Sequence, residues 1–406
     1  MLMGRETKRE VPEMSRLSLI FGGDFTLGQE PEKYMAGVNG LLDSADLRMF
    51  QLEEPFLDTL VENAPPERST KTLDVLKGKV DLVTLSGNHL YDYGDAGVKD
   101  TIAWCERSGV AHAGAGLNAA EAKQPAFVER DGVRIGVLAY DAVGSKKVFA
   151  SPDRGGAAGI NFIRGFVPCS MLDQTHTRLE NDVWELKKPV PVNEDCMGFN
   201  FVDVDSVLEF AEDVRQAKAQ CDLLLVYFHK GYVHRPVTVA PWERLLSHIA
   251  VDNGADAVMA THSHIAHGVE MYKGVAIYHG LNNFVMYVPQ LSPSFTGQVH
   301  GGANSNNAEW VKNRVERFGF VPDPEYPTYP FHPESVYCPV AKLLIEDGKI
   351  TSYRMVLMKV ERDGVPYVHG HTEVGQEIFD YMQRITAEAG LNAKLSWDGD
   401  EVVIGE

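Results

Sequence analysis

Six times along this chain, a short β-prone apolar run stops at a residue able to bind a metal or carry a proton. Leu17 to Phe21 leads into Gly22-Gly23-Asp24. Leu47 to Leu52 leads into Glu53, and Val80 to Leu85 into Ser86-Gly87-Asn88-His89. Asp222 to Phe228 leads into His229-Lys230-Gly231, and Ala255 to Ala260 into Thr261-His262-Ser263-His264. Val275 to Tyr278 leads into His279 and then Asn282-Asn283. Short apolar runs bounded by Gly and polar residues read as buried strands. One such coincidence means little. Six in series constrain the fold, because open α/β sheets gather their sites just past the strand C-termini.

Helical spacing of apolar residues predicts helices over Asp95–Ser108, Val204–Ala219 and Pro241–Asn253, with a last one over Glu373–Ala389. Val133–Tyr140 reads as a further strand, and Val340–Ile345 with Lys349–Val360 as a hairpin. Strands alternating with helices imply a layered α/β fold. Two stretches break the rhythm: Asp141 to Gly198, rich in Gly, Pro and mixed charge, and Pro289 to Tyr337, rich in Pro, Asn, Gly and aromatics. Long irregular stretches are usually lids or binding loops. Both read as elaborations over the site, with room for a partner protein or peptide. Residues 1–14 are polar and charged and read as a tail. The expectation is one domain over residues 15–406 with insertions at about 141–198 and 289–337.

A net charge of −19 excludes a general nucleic-acid binder, which needs basic surface for phosphates. No apolar run approaches the ~18 residues of a membrane span, and the N-terminus lacks the apolar core of a secretion signal. A cytoplasmic protein is therefore expected. The five cysteines are widely spaced without a CxxC pair, which points to free thiols rather than a disulfide framework.

Asp24, Glu53, Asn88, His229, His262 and His264 are the donor types of a two-metal hydrolase: oxygen ligands mixed with neutral imidazoles, around ions about 3.5–4 Å apart. Manganese, iron or zinc would suit such a set. His89 is the acid–base candidate beside a leaving group. Each residue also has a plainer reading. Asp24 would serve as a helix N-cap, Glu53 as a surface acid, and Asn88 as a left-handed turn residue. His89 and His229 would serve as hydrogen-bonded structural histidines, and Asn282 and Asn283 as turn residues. His112, His248, His300, His332, His369 and His371 have no motif around them.

These blocks carry a family likeness. The chain resembles the CapA-type poly-γ-glutamate capsule-synthesis proteins, a branch of the calcineurin-like metallophosphoesterase superfamily. The likeness rests on Gly22-Gly23-Asp24, Leu52-Glu53 and Ser86-Gly87-Asn88-His89-Leu90-Tyr91-Asp92-Tyr93-Gly94, the most specific stretch. It continues through His229 and Gly231, Gly254-Ala255-Asp256 to His262 and His264, His267-Gly268-Val269-Glu270, and Leu281-Asn282-Asn283-Phe284, which places the family's Asn at Asn283. It runs from about Leu17 to Ala389, interrupted by the two insertions. The resemblance implies a four-layer α/β sandwich of the metallophosphoesterase type, with a site for one or two divalent ions at the strand ends.

The sequence also departs from the family pattern. Phe25-Thr26 stand where ordinary phosphoesterases carry Asp-x-His. Thr261 replaces a Gly, Gln51 an Asn, and Lys230 and Val233 a Trp and a Glu. Lys230 is expected to place a positive charge beside the ions. That would disfavour a second dication and suit an anionic substrate group or an enolate. Lys230, Asn283 and His267 are the candidate substrate contacts.

Three readings follow. One is a metal-dependent hydrolase of a phosphoester, or of an amide in a peptide-like or γ-glutamyl substrate, with Asp24, His89 and His264 in the chemistry. The second is a metal-free acid–base enzyme on a peptide α-carbon, such as an epimerase, using Asp24 and a facing histidine (His264 or His89). The third is a non-catalytic component of capsule-polymer assembly.

Overall fold

The computed structural model describes residues 16–61, 64–168, 190–193, 196–292, 312 and 315–406. Two sheets stand face to face at its centre. In the first, four parallel strands, Arg16–Thr26, Leu47–Leu52, Leu82–Thr84 and Ala111–Ala113, run outward to one edge. On the other side, Arg16–Thr26 pairs antiparallel with Tyr337–Glu346. Lys349–Val360 and the hairpin Lys394–Asp398/Glu401–Gly405 follow. In the second sheet, Val133–Asp141, Leu223–Lys230, Ala257–His262 and Val275–Leu281 are parallel, and Ala126–Arg130 and Ala266–Tyr272 close the edges antiparallel.

Strand side chains alternate between faces, so each sheet fills two cores. Leu19, Phe21 and Met49 meet Leu225, Tyr227 and Met259 between the sheets. Ile20, Phe50 and Val83 face the other way, against Val98, Ile102 and Trp104 of the helix Gly94–Ser108. Leu224, Val226 and Phe228 pack on Phe210 and Val214 of Val204–Lys218 and on Leu246 and Ala250 of Pro241–Asp252. The result is the expected four-layer α/β sandwich. The helix Glu373–Glu388 packs Ile378, Met382 and Ile385 into the core between the sheets.

The predicted helices lie within a residue of their expected ends. The strand ends also gather as expected. The 141–198 stretch is more structured than a loop: Phe162–Pro168, Val190–Asn193 and Cys196–Val202 form a small antiparallel sheet. The predicted tail (residues 1–14), His300, residues 169–189 and residues 293–311 lie outside the described residues. No described helix is long and apolar enough to cross a membrane.

Candidate active site

A bulge places Asp24. The register of Arg16–Thr26 slips between Gly22 and Asp24, and the extra residue reverses the alternation. Asp24 then points into the gap between the sheets while Phe25 joins the outer core. Only glycine fits there. A Cβ on Gly23 would lie 2.1 Å from the Asn282 backbone oxygen, and one on Gly22 2.7 Å from Phe284 Cγ. That crowding brings the Asp24 amide within 2.9 Å of the Asn282 carbonyl.

Asp24 is fully buried and both its carboxylate oxygens are engaged. The Thr261 hydroxyl donates to Oδ1, and the His262 amide donates to Oδ2 at 3.0 Å. Burial pushes its pKa up to about 7 against those hydrogen bonds. Glu53, 3% exposed, accepts from no amide, hydroxyl or imidazole on either carboxylate oxygen, and its neighbour is the Asp24 carboxyl. Burial first, and then the negative charge of Asp24, push its pKa well up.

The histidines converge on these acids. His229 Nε2 lies 2.7 Å from Asn88 Oδ1, 3.1 Å from His262 Nδ1 and 3.7 Å from Glu53 Oε2. His229 Nδ1 is 3.8 Å from Asp24 Oδ1. His264 Nδ1 lies 3.6 Å from Asp24 Oδ2, and its Nε2 3.9 Å from Glu53 Oε1. Burial, followed by the other imidazoles nearby, drives His229 and His262 well below the usual histidine range. Both are therefore neutral at pH 7, the form that binds metal. His262, His264 and Asn282 hold left-handed backbones, with φ of 90°, 48° and 59°. Such strain in non-glycine residues gathers where a site over-determines the chain.

Donor atoms around a tetrahedral ion about 2.1 Å away stand roughly 3.4 Å apart. Asp24, Glu53 and His229 each offer a ligand atom within 4.8 Å of the others, and Asn88 Oδ1 and His262 Nδ1 lie 2.7 and 3.1 Å from His229 Nε2. The Asp24 and Glu53 carboxyls, both raised by burial, would ionise against a dication, which offsets the cost of burying them charged. These residues fit one divalent ion. His264 stands next to that set, its Nδ1 against Asn283 Oδ1.

His89 sits on the rim with its side chain 41% exposed, and its Nδ1 is 2.7 Å from Asp92 Oδ2. Its surroundings lower its pKa, but the hydrogen bond and charge of Asp92 more than offset this and raise it.

Two expected substrate contacts lie elsewhere. Lys230 follows His229 in the strand, so its side chain leaves on the opposite face. There Nζ contacts the Glu243 carbonyl, Ser247 Oγ and His279 Nδ1 at 3.0–3.2 Å, fully buried. It places no charge beside the acids. His267 is 1% exposed, its Nε2 3.0 Å from the Arg235 carbonyl. Asn283 is at the site, but its amide oxygen faces His264 Nδ1 at 2.8 Å.

Sequence reasoning missed Asp141, which ends the strand beside His229 in register. It is fully buried, and its Oδ1 accepts from the Val143 and Gly144 amides while Oδ2 has no partner. Burial raises it to about 7. The clue was available: Asp141 closes an apolar strand just as Asp24 and Glu53 do. Tyr227, whose hydroxyl contacts both Thr261 and His229, was also missed.

A CapA capsule biosynthesis protein of Bacillus anthracis is 23% identical over 294 residues, covering 67% of this chain and 60% of that protein. A PGA biosynthesis protein CapA of Bacillus subtilis is 23% identical over 223 residues, covering 54% of this chain and 46% of that one. The chain thus spans about half to three-fifths of the length of these curated relatives. Among solved structures, a phosphatase of Mycoplasma pneumoniae aligns at 13% identity with a TM-score of 0.42, covering 86% of this chain and 95% of that one. The calcineurin-like phosphoesterase YfkN of Bacillus subtilis aligns at 13% identity with a TM-score of 0.37, covering 93% and 98%. Likenesses this loose say nothing about chemistry. Residues 1–288 match the family described as bacterial capsule synthesis protein PGA_cap, and the chain belongs to that family.

Proposed function

We propose that this chain is a metal-dependent hydrolase acting on a phosphoester, or on an amide of a peptide-like or γ-glutamyl substrate. The observation that carries the reading is a buried cluster: Asp24, Glu53 and His229 each offer a ligand atom within 4.8 Å of the others, and no amide, hydroxyl or imidazole donates to the Glu53 carboxyl. A divalent ion held there would activate a bound water and polarise the scissile bond. Asp24, near neutral in pKa and fixed by Thr261 and the His262 amide, takes a proton from the nucleophile. His264 faces the same space. His89, whose pKa the Asp92 carboxylate raises, donates to the leaving group at the rim. The capsule and PGA roles in the relatives' names favour a γ-glutamyl substrate. Metal analysis of protein purified without added metal, and hydrolysis of phosphoester and γ-glutamyl amide panels before and after chelation, test the reading. Full activity with no bound metal would overturn it.

A second reading rests on a different observation. Asp24 Oδ2 and His264 Nδ1 stand 3.6 Å apart, and Asp24 is raised to about 7. In this reading Asp24 removes the proton from a peptide α-carbon and a histidine facing it across the substrate, His89 or His264 through Nε2, returns one, as in an epimerase. Deuterium incorporation from solvent into candidate peptides by metal-free protein supports it. No exchange across the panel rejects it.

A further inference from the structure

His264 is tied into a closed hydrogen-bond circuit whose far side comes from the stretch read as an insertion. His264 Nδ1 meets Asn283 Oδ1 at 2.8 Å. Asn283 Nδ2 donates to the Tyr329 hydroxyl at 2.7 Å, and Tyr329 donates to the Ser335 carbonyl at 2.7 Å. The Ser335 hydroxyl donates to the His264 carbonyl and closes the loop. Asn283, Tyr329 and Ser335 are all at most 2% exposed.

One member fixes the direction of the whole circuit. The Ser335 carbonyl can only accept. Tyr329, 2.7 Å from that carbonyl, spends its single proton there, beside the Asn282 side-chain amide that the same carbonyl accepts and in preference to the Cys338 sulfur 3.8 Å away, and its oxygen accepts from the Asn283 amide nitrogen. That turns Asn283 Oδ1 toward His264, and the imidazole must meet it with Nδ1–H. The ring lone pair is left on Nε2, the atom that faces Glu53. We propose that Tyr329 and Ser335 are positioning residues that, through Asn283, fix the tautomer and aim of His264. The segment carrying them is thus a structural part of the site rather than a lid over it. Burial keeps the Tyr329 hydroxyl well above the usual tyrosine range, so its proton stays in place at neutral pH. Phe331, from the same segment, stacks on the His264 ring with centroids 5.0 Å apart. The functional weight of the circuit rests on the reading in which His264 acts at the site; the tautomer does not.

The test is a long-range proton–nitrogen correlation spectrum of the full chain, histidine-labelled with nitrogen-15 and recorded after chelation without substrate. His264 is assigned by loss of its signals in His264→Gln. A single Nδ1–H tautomer in the wild type, giving way to a tautomer mixture in Tyr329→Phe with the other histidines unmoved, is the expected result. An Nε2–H tautomer in the wild type overturns the proposal, and so does an unchanged Nδ1–H tautomer in folded Tyr329→Phe. Should Tyr329→Phe fail to fold, the wild-type spectrum still decides. The readout uses neither metal nor turnover, so failure of the hydrolase reading and failure of the circuit are separate results.

Discussion

His229 and Lys230 are consecutive residues of one strand, yet they belong to different parts of the protein. His229 stands among the candidate ligands, and Lys230 is locked behind the sheet against Ser247 and His279. Their substitutions therefore fail in different ways. His229→Ala is expected to weaken metal binding by more than about tenfold with the fold kept. Lys230→Met leaves the buried Glu243 and His279 without their partner and costs about 3 kcal/mol of stability, while the folded fraction still binds metal. Metal titration and denaturant unfolding of the two variants check this pair.

Glu53→Gln is expected to raise the thermal stability of metal-free protein by about 1–2 kcal/mol, because burial raises the Glu53 carboxyl and folding must protonate it, a cost the neutral amide does not carry. The same change removes the stabilisation by added metal. In the wild type that stabilisation reaches about 2.7 kcal/mol at a hundredfold excess over Kd. Thermal unfolding with and without chelator, for both proteins, gives all four values. A wild type indifferent to metal would count against the ion site.

Gly23→Ala drives a methyl group into the backbone oxygen of Asn282, which no rotamer can relieve. A loss of more than about 3 kcal/mol is expected, on the scale of exceptional single substitutions. Gly40→Ala is the control. It lies in the helix Asn39–Ser44 with nothing within 4 Å of its added Cβ, and should be neutral or stabilising by up to about 1 kcal/mol. Denaturant melts of both variants test the contrast.

His267 gives the fold a pH dependence. Burial, with Lys230 adding to it, lowers its pKa from 6.5 to about 4, against its hydrogen bond to Arg235. The unfolded chain then binds the proton more readily, so stability is full above about pH 6.5 and is lost as pH falls toward 4. The loss from this group alone is about 3 kcal/mol. His267→Gln should flatten the stability profile across that window. Thermal midpoints at half-unit pH steps, wild type against variant, measure the slope.

The strand ends were legible because each apolar run stops abruptly, and parallel strands bring such stops to one rim. That logic found Asp24, Glu53, Asn88, His229 and His262. It could not say which way a side chain leaves its strand. A shift of one position separates His229 from Lys230, and the bulge that turns Asp24 inward is visible only as two glycines. Asp141 was lost because its strand runs straight into the long insertion, which drew it into a loop. Tyr329 and Ser335 carry no local pattern at all. Their meaning comes from a contact with Asn283 across residues whose sequence is irregular.

The strand bearing Asp24 has the Tyr337–Glu346 strand as a neighbour. That edge of the Asp24 strand therefore stays bare until residues 337–346 have been made, and a truncation just past the family-matching residues would leave it open to pairing between molecules.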